Sequence, residues 1–201
     1  MGKYDSERGF PKAARCTGVS ALTFDGKVLI LHTAKYQALS FQAASGPALD
    51  NNFAIIALQA AKAALPASFQ RVGDRVFDYG RERQKMPDAG PIPEGMYWIN
   101  PGELEQNFWE QGGLFHDPDW HRRRSSWGDA WITIHPYPFT ETYERGGFFI
   151  HGGADLGSIG CIDLATQMNS FVAALKENLG EAWVPRSVGP ARDRRAHFAC
   201  F

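Results

Sequence analysis

Phe148-Phe149-Ile150-His151 is an apolar run that ends on the glycines Gly152 and Gly153, and a second loop closes on Ser158-Ile159-Gly160-Cys161 before Ile162-Asp163-Leu164. An extended apolar run stopped by glycines reads as a strand that delivers its last side chain, His151, into a loop on a rigid scaffold. A thiol attacks as thiolate, so a reactive cysteine needs a nearby imidazole or a helix N-terminus to lower its pKa. Both are expected around Cys161. His151 precedes it by ten residues, and Leu164, Met168, Phe171, Val172, Leu175 and Leu179 recur after it at helical spacing. With Asp163 as N-cap, that helix is predicted to start just beyond Cys161 and to turn its positive end towards the sulfur.

The same segment supplies the other expected parts of a nucleophilic site. The backbone N–H groups of Gly160 and Cys161, in a tight turn after Ser158, are candidate oxyanion donors. The Gly152 carbonyl is the candidate acceptor for the second ring nitrogen of His151. Asp155 and Asp163 are further candidate orienters, equally well read as loop and cap residues.

The flanking sequence predicts mainly β-structure. Residues 18–24 and 27–33 form two apolar runs around Asp25-Gly26, a hairpin signal, and residues 36–44 read as a third strand ending at Ser45-Gly46-Pro47. The Ala-rich stretch from Phe53 through Ala64 predicts a short helix, and residues 70–88 are charged and without clean period. Gly90-Pro91-Ile92-Pro93-Glu94-Gly95 is a rigid turn, because two prolines fix φ, and it leads into a strand at Met96-Tyr97-Trp98-Ile99. Residues 102–128 read as a partly helical insertion rich in aromatics and bases. Strands are predicted again at 130–135, 147–151 and 183–188.

A chain of 201 residues with 44% hydrophobic content suits one domain, 1–201, with a core over about 18–180. The net charge of -1 gives no global attraction to nucleic acid or to anionic membrane. No apolar run of spanning length and no Sec-type leader are read, so the expected route out of the cytoplasm is not Sec. Cys16, Cys161 and Cys200 lack the paired spacing of a zinc site, and a Cys16–Cys200 bridge between neighbouring termini is one possibility. No cofactor and no metal site are expected, the loop His116-Asp117-Pro118-Asp119-Trp120-His121 being the weakest of the alternatives.

These residues resemble the L,D-transpeptidase (YkuD-like) catalytic domain, whose signature is a strand ending in His-Gly followed by a loop closing on Ser-His-Gly-Cys. The resemblance is closest to the type VI secretion L,D-transpeptidase effectors, in which Ser-x-Gly-Cys takes that place and a Gly-Pro-Ile-Pro-x-Gly-x-Tyr segment precedes it. Gly90 to Tyr97 and Ser158 to Cys161 fit both elements. Ile159 replaces the second histidine, and Asp163 stands where the wider family has Arg or Asn. The family's carboxylate-binding arginine is therefore missing from its usual place, with Arg145, Arg186 or Arg122 to Arg124 as substitutes.

The resemblance implies an α+β fold with a β-sandwich or barrel-like core and a helix after the cysteine. It implies Cys161, His151, Gly152, Ser158 and Gly160 as catalytic residues, and Gly153, Ile159, Asp163 and Arg145 as substrate-binding. It implies cleavage between residues 3 and 4 of peptidoglycan stem tetrapeptides through an acyl-cysteine, with water, a D-amino acid or a second stem as acceptor. The implied setting is the periplasm of a target bacterium, reached by a secretion apparatus, with a cognate immunity protein as partner. The alternatives are a cysteine amidase or endopeptidase of another fold and a non-catalytic wall-binding module, for which Trp98, Trp120, Trp127 and Trp131 would stack on sugars. The His-before-Cys order argues against a papain-like enzyme, in which the cysteine precedes the histidine.

Overall fold

The computed structural model describes residues 19–33, 37–49, 56, 64–106, 125–179 and 199–200. The chain opens with the expected hairpin, β1 (Val19–Phe24) and β2 (Val28–Thr33). Its turn is made by Asp25, whose Oδ1 accepts the N–H groups of Lys27 at 2.9 Å and Val28 at 2.8 Å, while Gly26 takes φ +89°. The third strand is split into β3 (Ala38–Gln42) and β4 (Ala44–Ser45) at Ala43, whose N–H turns back to the Lys27 carbonyl.

The polar stretch 70–88, read without structure from sequence, holds a second hairpin, β5 (Phe69–Val72) and β6 (Arg75–Asp78), then a one-turn helix α1 (Arg81–Gln84). Its apolar side chains are too few to give a period. Val72 and Phe77 instead bury against Ala44 in a small second core with Ala48, Tyr79 and Leu156 around it. There follow β7 (Met96–Ile99), a 3₁₀ turn at Pro101–Glu103, β8 (Glu105–Gln106), β9 (Ala130–Pro136), β10 (Phe148–His151), β11 (Ile162–Asp163), helix α2 (Met168–Leu179) and β12 (Ala199–Cys200). Of the Ala-rich helix only Ile56 is described, and it is helical. Most of the 102–128 insertion, the strand expected at 183–188, and Cys16 lie outside the described residues.

One sheet runs in the order β3-β2-β1-β12-β7-β9-β10-β11-β4, with β8 also on β9. Its two end strands are β3 and β4, consecutive in the chain on either side of Ala43, so the sheet curls round until its ends are joined covalently. Among the described residues no barrel closes, and the fold is α+β. β12 lies parallel to β1, with Thr23 opposite Cys200, so the C-terminal strand does return beside the first one.

The core lies where the curl meets α2. Leu22, Leu29, Leu31, Tyr97, Ile132, Phe148, Ile150 and Ile162 pack with Met168, Phe171, Val172 and Leu175. Phe41 meets Phe171 edge to face with centroids 5.4 Å apart. Each such side chain, taken out of water, contributes roughly 1.5–3 kcal/mol. The helical spacing read after Cys161 is thus the buried stripe of α2, and that stripe fixes β10 and β11 from beneath.

Candidate active site

The two elements of the reactive segment are neighbours: β10 and β11 pair in parallel, with Ile150 opposite Ile162 and His151 opposite Asp163. Parity then sets the faces. Ile150 and Ile162 point into the core, so His151, Asp163, Phe149 and, one residue before β11, Cys161 share the opposite face. The thiol and the imidazole are therefore one diagonal step apart on adjacent strands. A loop of nine residues brings this about because β9, β10 and β11 are adjacent in the sheet.

His151 is 3% exposed, and its Nδ1 lies 2.6 Å from the Gly152 carbonyl oxygen. A carbonyl only accepts, so Nδ1 carries the proton and Nε2 is the basic nitrogen. The ring also stacks on Trp127, centroids 4.9 Å apart and planes 29° apart, and Trp127 in turn meets Phe149 and Trp131 edge to face. Trp127 was not distinguishable in the sequence from any other tryptophan, because the residue it covers is 24 positions away. Gly152 has no room for a side chain: an added Cβ would lie 2.8 Å from Met168 Cβ and 2.9 Å from the Ala165 carbonyl. Glycine there lets the strand end rest on α2 with its carbonyl turned to the imidazole.

Cys161 is a free thiol, 6% exposed, with Sγ 3.9 Å from the Gly147 carbonyl. The helix expected to activate it begins elsewhere. Ile162–Asp163 is a strand, a 3₁₀ turn fills Ala165–Gln167, and α2 starts only at Met168. A helix dipole fades within its first turn, so it does not reach the sulfur. Burial pushes the thiol up to about 11, and the Asp163 charge adds to this, against the Phe149 backbone donor and the Arg145 charge. Burial also lowers the imidazole, the Gly152 bond opposing. The resting pair at neutral pH is therefore thiol and neutral imidazole, which corrects the expectation of a thiol with a depressed pKa.

The loop around Cys161 is held from several sides. Ser158 Oγ donates to the Cys161 carbonyl at 2.6 Å, and the Ser158 N–H donates to the Gly46 carbonyl at 3.0 Å. Asp163 is fully buried: Oδ2 accepts from Gly157 N–H at 3.0 Å, Oδ1 from Ala165 N–H at 2.8 Å, and Oδ1 lies 3.9 Å from His151 Nδ1. Burial lifts this carboxyl from 3.8 to about 7, despite the two N–H donors and the Arg75 charge. Asp163 ties both ends of the reactive loop together. Ile159 is 61% exposed at the loop's crest, and Gly153 lies against the Ser125 and Ser126 carbonyls.

Arg145 sits between this loop and the proline-rich turn. Its guanidinium donates to the carbonyls of Gln84 (2.5 Å), Pro91 (2.7 Å) and Gly90 (2.8 Å), and its carbon lies 5.6 Å from the centroid of the Phe148 ring. A Cβ on Gly160, which has φ +128°, would come within 2.6 Å of Arg145 Nη2. The turn itself is fully tied: Ile92 N–H donates to Ser45 Oγ at 2.8 Å, Glu94 N–H to Gln84 at 2.9 Å, and Tyr97 OH to the Pro93 carbonyl at 2.8 Å. The wall read from Pro91 and Pro93 is real, and Arg145 braces it against Gly160.

Among the described residues, two grooves lie beside these parts. The larger, about 630 Å³, lies between the first hairpin and residues 67–94 and contains neither Cys161 nor His151. The smaller, about 370 Å³, is bounded by Ser158 and Ile159 of the reactive loop, with Arg75, Ser125, Ser126 and Asp155 around it. Among the described residues no cluster of side chains is arranged to hold a metal ion. No described helix is long and apolar enough to cross a membrane.

A family model described as Tlde1 domain matches residues 74–184. The matched stretch spans the proline-rich wall, Arg145, His151 and Cys161, and leaves the first hairpin outside. No curated protein matches the chain.

Proposed function

The chain belongs to the Tlde1 domain family of type VI secretion effectors with peptidoglycan-modifying activity, and on that premise we propose that it is a cysteine acyltransferase cleaving stem tetrapeptides between residues 3 and 4. The observation that carries this reading is the parallel register of β10 and β11 together with the His151 Nδ1 bond to Gly152. It gives a buried thiol an imidazole on the same face whose other nitrogen, Nε2, is the one left to take a proton.

In the proposed reaction the Sγ–H proton passes to Nε2 as sulfur attacks the carbonyl of the L-residue at position 3. With both groups neutral at rest, transfer and attack belong to one step, and substrate binding that displaces water offsets the cost of separating charge. The tetrahedral oxyanion would be met by the N–H groups of Gly160 and Cys161. The Asp163 carboxylate, 3.9 Å from Nδ1, favours the imidazolium that forms. The C–N bond then breaks, Nε2–H protonates the leaving D-alanine amine, and a thioester remains on Cys161. Water, a D-amino acid or the side-chain amine of another stem attacks that thioester after giving a proton to Nε2, yielding a tripeptide, an exchanged stem or a crosslink. Delivered into the periplasm of a target cell, such an enzyme removes donor stems, and its producer needs an immunity protein able to cover the cleft.

The test is to incubate the protein and its Cys161→Ala variant with disaccharide-tetrapeptides and follow the products by mass spectrometry. Loss or replacement of the terminal D-alanine by the intact protein alone is expected. Turnover that persists in Cys161→Ala and stops with a chelator refutes the thiol mechanism.

A further inference from the structure

Proton transfer from the thiol makes His151 a cation in a place that water barely reaches. The ring is 3% exposed, and burial already disfavours its charged form. The charge has to be met by groups fixed around it. The Gly152 carbonyl accepts from Nδ1 at 2.6 Å, and β11 brings the Asp163 carboxylate to 3.9 Å, with the Cys161 thiol on the same face. β9 places Trp131 opposite in register. Among the described residues, the titratable groups beside the ring are thus Asp163 and Cys161, and the Arg145 charge acts on Cys161.

The face of the ring is covered by Trp127. Its indole centroid lies 4.9 Å from that of the imidazole with the planes 29° apart, inside the roughly 6 Å over which an aromatic face attracts a cation, and tryptophan has the strongest such face. Phe149 and Trp131 meet the indole edge to face at 5.5 Å and 6.1 Å and hold it in place. The backbone holds it as well. Ala154 N–H donates to the Ser125 carbonyl at 2.7 Å, a Cβ on Gly128 (φ +66°) would lie 3.0 Å from Gly153 N, and one on Gly153 would lie 2.8 Å from the Ser126 carbonyl. Residues 125–128 therefore rest directly on the loop that follows His151, an approach that only glycines permit. One backbone junction thus positions both rings. The Nδ1 bond sets which nitrogen is basic, and the stack sets the tilt of the ring.

We propose that Trp127 is a positioning residue for the acyl transfer, its indole face stabilising the His151 imidazolium that forms when Nε2 takes the Cys161 proton. The kinetic consequences rest on the acyl-transfer reading above, whereas the effect on the imidazole rests on the stacking geometry alone. An indole face attracts the imidazolium more than the neutral ring, so the stack favours proton transfer to Nε2.

The experiment compares the full chain with Trp127→Phe, which keeps a weaker face, and Trp127→Leu, which keeps apolar bulk without one. A further form carries at position 127 a tryptophan fluorinated on its benzo ring, installed by nonsense suppression. Fluorine withdraws electrons from the face at nearly constant shape, so this form tests the stack even if Trp127→Leu does not fold. Each is read by NMR titration of the His151 ring, assigned with His151→Gln, and by the pH profile of tetrapeptide trimming. A desolvated cation–π contact is worth about tenfold in an equilibrium constant. Losing it lowers the pKa of the imidazole, so in Trp127→Leu the His151 midpoint and the acid limb of kcat/KM both move down by about one pH unit, and kcat falls about tenfold with KM within about twofold. The Trp127→Phe and fluorinated forms move the same way by smaller steps. A His151 midpoint that stays within about 0.2 pH units of wild type in the folded forms overturns the proposal even if kcat falls, because packing alone then explains the loss. A wild type that trims no stem overturns the acyl-transfer reading, while the His151 midpoint still decides whether the stack stabilises the cation.

Discussion

Replacing Arg145 by methionine separates two roles that the sequence could not separate, a brace and a substrate clamp. Methionine keeps much of the stem volume and removes the fork, so the carbonyls of Gln84, Pro91 and Gly90 lose their donors and the Phe148 ring loses its cation. Hydrogen bonds to a charged group contribute about 1.5–3 kcal/mol each. The side chain is only half-buried, so water replaces part of what is lost, and a net destabilisation of about 3 kcal/mol is expected. For a chain of this size that corresponds to a fall in Tm of roughly 6–12 °C. Arg145→Lys recovers less than half of it, because an ammonium cannot address three carbonyls from one plane. The assay is thermal unfolding followed by tryptophan fluorescence, with steady-state kinetics on tetrapeptide well below the transition. The brace predicts a lower Tm, a lower kcat through the displaced Gly160 turn, and KM within about twofold. An unchanged Tm with KM raised about tenfold would show that the arginine faces substrate, and the brace argument would be wrong.

Other consequences follow from the buried charges. With the Cys161 thiol pushed up to about 11, its alkylation by iodoacetamide should accelerate about tenfold per pH unit from pH 7 to 10 without levelling. A plateau below pH 7 would mean a preformed thiolate–imidazolium pair. Asp163 has a folded-state carboxyl near 7 against 3.8 for an ordinary one. A raised value means its stabilising contribution is complete below about pH 4 and is lost as pH climbs through 7, a change of about 4 kcal/mol at most. In chemical denaturation, the stability of wild type minus that of Asp163→Asn should therefore decline between pH 4 and pH 8. A difference that is flat or rises over that interval refutes the assignment.

The parts legible in the sequence were those with local causes. Asp25-Gly26 encodes its own turn, since the aspartate carboxylate accepts the N–H groups of Lys27 and Val28 and the glycine accepts φ +89°. The apolar spacing of Met168, Phe171, Val172 and Leu175 encodes a buried helix face, and two prolines encode a stiff wall. The hairpin at 69–78 was not legible because four-residue strands carry too few apolar positions, and Val72 and Phe77 are buried by contacts with Ala44 and Leu156 far along the chain. The helix start was misplaced for a related reason. Ile162-Asp163 pairs with β10 on one side and β4 on the other, and those ladder bonds outweigh the helical preference of the residues that follow.

For the site, the sequence determined which residues are candidates for chemistry: a histidine closing a strand, a cysteine after a glycine turn, and a carbonyl at Gly152 to fix the imidazole. Those depend on residue type and spacing, which one dimension records. Only the tertiary structure decided what surrounds them. Burial raises the thiol, Trp127 covers the imidazole, Asp163 turns inward to tie the loop, and Arg145 braces the wall that the sequence had as a possible substrate contact. Solvation and hydrogen-bond partners depend on neighbours from distant parts of the chain, and the curled sheet alone brings those neighbours together.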